Sequence, residues 1–290
     1  MPSTRKGSGV FSDSVSGKDS RPLVPEGWEG WDEYAAFYDW ENARTLGRRD
    51  VPFWRRIAVE SRGPVLELGC GTGRIFLPLA RAGAELVGID RSGPMLARLR
   101  ATATRSRYGG AGPGARGAKA GSLRLVRGDI RALPFVAGSF RTVLAPYGIL
   151  QSLLRDRDLG AALESVARVL DTGGRFGVDL VPDVPNWREY DNRVQLRGRA
   201  AGGARLTLIE SVRQDRRRRL TTFEQRYVEC RGRRTTEFRF ELRFRTLSIP
   251  QMTRRLEAAG FAIDRVLGDY RGRPWDERAD VWIILARKQD

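Results

Sequence analysis

VLELGCGTGR, residues Val65–Arg74, contains the pattern from which the architecture of this chain can be predicted. Its first four residues form a short apolar run typical of a buried strand, and an apolar helix is predicted from about Arg74 to Ala82. The glycines between them permit a turn whose backbone angles a Cβ atom would forbid, and they let a ligand approach the main chain. A strand, a glycine turn and a helix in this order form the first unit of a doubly wound α/β sheet, which binds its ligand at that turn.

The spacing of the glycines indicates which ligand the turn binds. A dinucleotide fingerprint reads G-x-G-x-x-G, whereas this turn reads G-x-G-x-G and has the bulky Arg74 where the third dinucleotide glycine would stand. Glu67 lies inside the strand, two positions before the first glycine. A carboxylate there would repel a pyrophosphate but suits an ammonium group, so a dehydrogenase is disfavoured.

The whole block resembles motif I of the class I S-adenosylmethionine-dependent methyltransferases. In that family the glycine turn lies against the methionine part of the cofactor, and the acidic residue lies near its amino end. The resemblance implies a Rossmann-like α/β fold with a doubly wound, seven-stranded sheet whose last strand is antiparallel. It also implies that S-adenosylmethionine is bound by Glu67, Gly69, Cys70, Gly71, Gly73 and Arg74.

A second acidic residue follows the next predicted strand. Ala84–Ile89 is a buried strand that ends in Asp90, and one carboxylate can accept hydrogen bonds from both hydroxyl groups of a ribose. The alternative is that Asp90 is only the N-cap of a helix over Ser92–Arg100. The resemblance also places Arg91 and Met95 in the cofactor site.

A third acidic residue follows the third predicted strand, Leu123–Val126. The segment GDIRALPF, residues 128–135, resembles the adenine-binding segment of the same family. There an acidic side chain, here Asp129, accepts from the exocyclic amine of adenine, and an apolar neighbour, here Ile130, packs on the ring. Acidic residues at three successive strand ends are therefore predicted to hold the cofactor.

The tip of the fourth predicted strand, Ser139–Ala145, is where this family places the transferred methyl group. Nucleic-acid amino methyltransferases commonly carry Asn/Asp-Pro-Pro-Tyr/Phe there, and this chain has Ala145-Pro146-Tyr147. This partial match argues against methylation of a nucleic-acid base. The segment resembles that of small-molecule enzymes of the glycine N-methyltransferase type, and the resemblance places Pro146 at the cofactor. Many of those have a histidine near the position of Ser152, but this chain contains no histidine. An acceptor that needs deprotonation by such a histidine is therefore disfavoured.

The reaction implied by the resemblance is an in-line displacement on a methyl group that is already activated. A neutral amine needs no strong base, so methylation of nitrogen is preferred over methylation of oxygen. Tyr38 and Tyr147 are the candidate catalytic residues, because aromatic rings can stabilise a cationic sulfonium by cation–π contact.

Two helices are predicted before the glycine stretch. The first runs from Trp28 to about Ala43 and is rich in aromatic residues. The residues on one of its faces are Trp31, Tyr34, Phe37, Tyr38 and Glu41. This face either packs on the sheet or forms a lid that closes over the cofactor. The second helix, Asp50–Ser61, is predicted to begin with Asp50 as its N-cap.

The pattern changes after a glycine turn, Asp171–Arg175, and a fifth strand, Phe176–Val181. Apolar and polar residues alternate from there to about Leu247, which predicts an antiparallel sheet that walls the acceptor pocket. Its candidate pocket residues are Arg197, Glu210, Arg226, Arg239 and Arg243. The predicted organisation is a disordered tail over 1–27, a helical lid over 28–62, a cofactor-binding core over 63–181 and 250–290, and an antiparallel β insertion over 182–249.

Composition limits the partners of the chain. The net charge of +17 is carried mostly by arginines that are spread along the whole sequence, which favours solvated faces over a polyanion site. An RNA or protein methyltransferase that uses this charge is the first alternative function, and a non-catalytic cofactor-binding scaffold is the second. No histidine and only two cysteines argue against a metal site. Without an apolar run of about 20 residues or a signal peptide, a cytoplasmic protein without a membrane partner is expected, and no feature assigns an oligomeric state.

Overall fold

A computed structural model describes residues 30–45, 49–108, 124–181, 189–200, 202–279 and 281–290. The predicted tail over 1–27 lies outside these residues. The helices in the described ranges are α1 Trp31–Thr45, α2 Asp50–Glu60, α3 Phe76–Arg81, α4 Gly93–Tyr108, α5 Asp156–Val169 and α6 Ile249–Ala258. The strands are β1 Val65–Leu68, β2 Leu86–Asp90, β3 Arg124–Arg127, β4 Phe140–Ala145, β5 Leu170–Leu180, β6 Tyr190–Arg199, β7 Arg205–Asp215, β8 Leu220–Arg231, β9 Arg234–Arg245, β10 Phe261–Leu267 and β11 Trp282–Lys288. Within the same ranges, we find no helix with the length and apolar character of a bilayer-spanning segment.

Seven strands form one mixed sheet in the order β10-β11-β5-β4-β1-β2-β3, which confirms the predicted fold. β1 is wholly buried and pairs in parallel with β2 and β4, and β3 continues the parallel part beyond β2. β11 lies antiparallel between β5 and β10. Because β1 to β4 run in the same direction, their carboxyl ends meet at one edge of the sheet, where ligands bind in this architecture.

Helices cover both faces of this sheet, as its apolar strands require. On one face, Phe53 and Trp54 of α2 pack in a cluster with Phe76 of α3. On the other face, Val166 of α5 and Met252 of α6 belong to the larger apolar cluster. The carboxyl edge is left as the place where a ligand can reach the main chain.

The glycine turn predicted before the fifth strand lies inside that strand. β5 begins at Leu170, and its pairing with β4 jumps from Phe140↔Leu170 to Thr142↔Arg175. Gly173 has a φ of 69°, which a residue with a Cβ rarely adopts. The extra residues are therefore accommodated as a bulge, and the predicted start of the strand at Phe176 is wrong.

The remaining strands, β6 to β9, form a separate four-stranded antiparallel sheet, which confirms the predicted insertion after the fifth strand. The aromatic face of α1 packs on this second sheet rather than on the main one. Tyr34 and Phe37 share a buried cluster with Leu208 and Tyr227, and the ring centroids of Phe37 and Tyr227 are 4.4 Å apart. α1, which precedes the core in the sequence, is thus packed against the insertion, which follows β5 of the core.

A buried polar cluster fastens α1 to the insertion. Glu41 accepts hydrogen bonds from the hydroxyl groups of Tyr34 and Tyr227. Nε2 of Gln225 donates to Glu41 at 3.2 Å and to Glu210 at 2.8 Å. Burial raises the pKa of Glu41, and the hydrogen bonds it accepts oppose that shift. We refer to α1 and β6–β9, joined in this way, as the cover.

Replacing Glu41 by leucine should destabilise the fold by about 2–4 kcal/mol, because two phenolic hydroxyl groups and one of the two amide N–H groups of Gln225 lose their buried acceptor. Glu33, which is exposed on the same helix, is the matched control. Its replacement by leucine should change stability by less than about 0.5 kcal/mol. Urea unfolding of both variants measures the difference, and equal effects would show that the cluster does not stabilise the cover.

Candidate active site

A cavity of about 220 Å³ lies where the carboxyl ends of β1 to β4 meet. The cover contributes Trp31, Asp32 and Tyr38 of α1 and Phe244 of β9 to the lining of the cavity. The predicted site residues that line it are Tyr38, Glu67, Gly69, Cys70, Gly71, Arg74, Asp90, Arg91, Met95, Asp129, Ile130, Pro146 and Tyr147. Of the residues predicted to bind the cofactor or to act in catalysis, only Gly73 does not line this cavity.

The three glycines of the turn all have positive φ, but the space beside them differs. A Cβ atom on Gly71 would meet nothing closer than the carbonyl oxygen of Gly69, at 3.8 Å. A Cβ atom on Gly73 would lie 2.8 Å from Cγ of Leu99. Gly71 therefore leaves room on the cavity side, whereas Gly73 lets α4 pack against the turn.

Glu67 is a buried carboxylate without a complete set of partners. Its side chain lines the cavity, the residue is 2% exposed, and Oε2 has no hydrogen-bond partner among the described residues. Burial raises the pKa of Glu67 well above its usual range, while the charge of Arg74 opposes this. A cationic or hydrogen-bond-donating group in the cavity would relieve this cost.

Asp90 shapes the glycine turn and is not a helix cap. The backbone N–H of Gly71 donates to Oδ2 and that of Ser92 donates to Oδ1, both at 2.8 Å. The N-cap of α4 is Ser92, whose Oγ accepts from the backbone N–H of Met95 at 3.2 Å. The alternative hypothesis, that Asp90 is only the N-cap of this helix, is therefore wrong. A carboxylate has about four acceptor sites, so Asp90 keeps acceptor capacity for a ligand.

Asp129 is held by arginines at the outer end of the cavity. Nη2 of Arg131 donates to it at 2.8 Å and Nη1 of Arg91 at 3.0 Å, and Arg131 also reaches Asp158. Burial acts in the opposite direction, but these hydrogen bonds lower the pKa of Asp129. The sequence had not indicated this clamp, although Arg131 stands only two positions after Asp129.

Arg74 is tied to the second helix. Its Nη1 and Nη2 donate to the two carboxylate oxygens of Asp50 at 2.9 and 2.6 Å, and its guanidinium lies 5.0 Å from the ring centroid of Tyr147. Asp50 is the first residue of α2, and the N-cap position is Arg49. The prediction of Asp50 as N-cap is wrong because its carboxylate pairs with Arg74 instead.

A strained turn follows β4. Tyr147 and Gly148 both have a φ of 62°, which for tyrosine is an uncommon conformation. Asp179 at the end of β5 accepts from the backbone N–H of Gly148 at 2.9 Å and from the hydroxyl of Tyr270 at 2.7 Å. These bonds hold the turn so that the Tyr147 ring lies at the cavity.

The pKa of Asp179 predicts how this turn responds to pH. Burial raises it from 3.8 to about 6, and the hydrogen bonds from Tyr270 and Gly148 oppose the shift. A carboxyl group whose pKa is higher in the folded than in the unfolded protein contributes fully to stability at a pH below the pKa of the unfolded state. That contribution is lost as the pH rises through the pKa of the folded state. Wild type should therefore lose up to about 3 kcal/mol relative to Asp179→Asn between about pH 4 and pH 7. Thermal unfolding of both proteins across this range measures it, and parallel curves would contradict the prediction.

The two candidate catalytic tyrosines are neutral phenols. Desolvation raises the pKa of both Tyr38 and Tyr147, more than the nearby Arg74 lowers it. They can donate or accept hydrogen bonds, but they hold no negative charge at neutral pH.

The cover supplies the aromatic side of the cavity. The ring of Trp31 lies edge-to-face with Tyr38 and with Phe244, at centroid distances of 6.2 and 6.4 Å. Phe244 is the only described residue of the insertion that lines the cavity. The five insertion residues predicted for the pocket, Arg197, Glu210, Arg226, Arg239 and Arg243, do not line it. Phe244 was missed because alternation along β9 does not show which face turns towards the main sheet.

The chain is similar to known methyltransferases in sequence. Residues 65–174 match the family model described as a methyltransferase domain. The chain is 36% identical over 176 residues to a demethylmenaquinone methyltransferase of Thermus thermophilus, which spans 55% of this chain and 72% of the relative. It is 25% identical to the cypemycin N-terminal methyltransferase of a Streptomyces species, over 78% of this chain and 83% of the relative. Among solved structures, the CcbJ methyltransferase of Streptomyces caelestis superposes with a TM-score of 0.69 at 21% identity, covering 89% of this chain and 97% of that one.

Proposed function

The chain belongs to the class I S-adenosylmethionine-dependent methyltransferases, and we propose that its acceptor is an amine nitrogen of a small molecule. The cofactor supplies a methyl group that is already activated as part of a sulfonium. The protein then has to bind the acceptor, align its nucleophilic atom and exclude water.

The cavity suits this cofactor in three respects. Gly71 leaves its cavity side free of a Cβ atom, Glu67 has a buried oxygen without a partner among the described residues, and Asp90 stands at the end of β2 with acceptor capacity left for a ligand. We propose that Glu67 faces the amino end of the cofactor and that Asp90 binds its ribose. Asp129 and Ile130 would lie at the adenine, with Asp129 oriented by Arg131.

The observation that supports the choice of nitrogen is the neutral state of the two tyrosines beside the proposed transfer site. Tyr38 and Tyr147 line the cavity as neutral phenols, and the chain has no histidine. An alcohol would need a base to become a good nucleophile, whereas a neutral amine already offers a lone pair. The two phenols can accept hydrogen bonds from the N–H groups of such an amine and so orient that lone pair.

The aromatic wall of the cover supports the same choice. Methylation of an amine yields a more substituted ammonium group, and Trp31, Tyr38 and Phe244 present rings that can stabilise a cation. One relative is named the cypemycin N-terminal methyltransferase, and the N-terminus of a peptide carries an amine. We propose that the cover closes the acceptor side of the cavity in this way.

The test is to incubate the enzyme with S-adenosylmethionine and separate pools of small amines, of alcohols and phenols, and of RNA, and to quantify S-adenosylhomocysteine. We expect product with the amine pool, at a rate that rises with pH as the acceptor loses its proton. Product with the hydroxyl pool alone would contradict the choice of nitrogen. Product with RNA and a steep dependence on salt would favour the polyanion alternative. Tight cofactor binding without turnover in any pool would favour the scaffold.

A further inference from the structure

The segment 147–152 carries a buried amide, and we call this segment the transfer-site turn because the proposed function places methyl transfer beside it. Gln151 lies on the 3₁₀ turn Ile149–Ser152 and is 3% exposed. Ile149 and Ser152 of the same turn line the cavity. The side chain of Gln151 faces away from that lining and is satisfied by backbone groups of other elements.

Those backbone groups belong to the two ends of the insertion. Oε1 of Gln151 accepts from the N–H of Val181 at 2.8 Å, and Nε2 donates to the carbonyl of Val181 at 3.1 Å. Nε2 also donates to the carbonyl of Arg245 at 3.2 Å. Val181 directly follows β5, where the chain leaves the core, and Arg245 is the last residue of β9, where it returns. One amide therefore joins the transfer-site turn to both ends of the insertion.

Neighbouring residues fit this arrangement closely. A Cβ atom on Gly148 would lie 2.7 Å from Oε1 of Gln151, so a side chain there would have to displace the amide from its present place. Phe244, which precedes Arg245, lines the cavity from the cover. A shift of the Arg245 carbonyl would thus move the aromatic wall relative to the turn that carries Tyr147.

We propose that Gln151 is a positioning residue that fixes the wall formed by Phe244 relative to the transfer-site turn. It acts by holding both ends of the insertion, so it sets the width of the acceptor side of the cavity without touching the cofactor. The proposal goes beyond the choice of an amine acceptor and holds for any acceptor bound beneath Phe244.

The test uses S-adenosylhomocysteine, hydrogen–deuterium exchange and three variants of the full chain. Gln151→Leu removes all three hydrogen bonds at similar volume. Gln151→Glu keeps the acceptor for Val181 but lacks the donor when ionised, and it regains a donor when protonated at low pH. Gln251→Leu is the matched control, because Gln251 also bonds a backbone group, the N–H of Ser248 at 3.1 Å, but belongs to the N-terminal cap of α6 and bonds neither Val181 nor Arg245.

We expect the ligand to protect both the 65–75 segment and β9 in wild type. In Gln151→Leu the protection of 65–75 should persist, while that of β9 should fall about tenfold, the change expected when buried hydrogen bonds are lost. Gln151→Glu should lose protection of β9 at about pH 8, because a carboxylate cannot donate to the carbonyl of Arg245. It should recover part of that protection at about pH 5.5, where the protonated carboxyl has one O–H to donate, after correction for intrinsic exchange. This reversal in one protein separates positioning from a failure to fold.

Retention of β9 protection in Gln151→Leu would overturn the proposal, as would an equal loss in Gln251→Leu. Absence of ligand-dependent protection of β9 in wild type would overturn it as well. None of these readouts needs an acceptor, so a negative result here is distinct from a failure to find an amine substrate.

Discussion

Replacing Gly71 by valine should abolish binding of S-adenosylhomocysteine and leave a folded protein. Gly71 has a φ of 52°, and a Cβ atom there would have only the carbonyl of Gly69 near it, at 3.8 Å. The valine side chain would therefore extend into the cavity rather than into the core. The left-handed conformation costs a residue with a Cβ about 1–2 kcal/mol, which most domains tolerate. Calorimetric titration should show an affinity loss of at least about 100-fold, or roughly 2.7 kcal/mol.

Gly73→Ala is the matched control for this result. Its Cβ atom would lie 2.8 Å from Cγ of Leu99 and 3.0 Å from Cγ of Leu77, so the penalty falls on packing. We expect Gly73→Ala to lower the melting temperature and to weaken binding of S-adenosylhomocysteine much less than Gly71→Val does. Normal affinity in Gly71→Val would show that the glycine turn is not the cofactor site.

Replacing Asp50 by alanine should destabilise the protein by about 3 kcal/mol, because it leaves the largely buried guanidinium of Arg74 without its carboxylate. The pair is bidentate, and the Asp50 side chain is only 8% exposed. Arg74 also lies against Tyr147, so the loosened side chain should weaken cofactor binding as well. Urea unfolding and calorimetric titration measure the two effects.

An exposed ion pair on the same sheet provides the control. Nη1 of Arg141 lies 2.9 Å from Asp171, and both side chains are about half exposed. Asp171→Ala should cost less than about 1 kcal/mol, because solvent already screens that pair. If the two substitutions cost the same, burial is not what makes the Asp50–Arg74 pair important.

Features set by local sequence were predicted well. The apolar run Val65–Leu68 forms β1 with the predicted bounds, because the run is short and the glycines end it. Glu67, Asp90 and Asp129 stand at adjoining strand ends because parallel neighbours share one edge. The alternation between Leu220 and Arg245 predicted β8 and β9 within a residue or two.

Features set by distant contacts were not predictable. Asp50 and Arg74 are 24 positions apart, and an aspartate at the start of a helix is typical of a cap whatever it binds. Gln151 lies in a turn whose local sequence carries no sign that it reaches Val181 and Arg245. Phe244 alternates with arginines as any half-exposed strand residue would. Only the docking of the insertion on the core decides which of these side chains meets the cavity.

The attachment of α1 to β6–β9 through Glu41 has a consequence for engineering. A chimaera that imported the insertion of a relative to alter substrate range would bring a foreign counterpart of Tyr227 and Gln225 against a native Glu41. The two segments are far apart in the gene, yet they would have to be exchanged together. Recombination libraries built from single crossover points should therefore lose more clones to misfolding than libraries that move both segments at once.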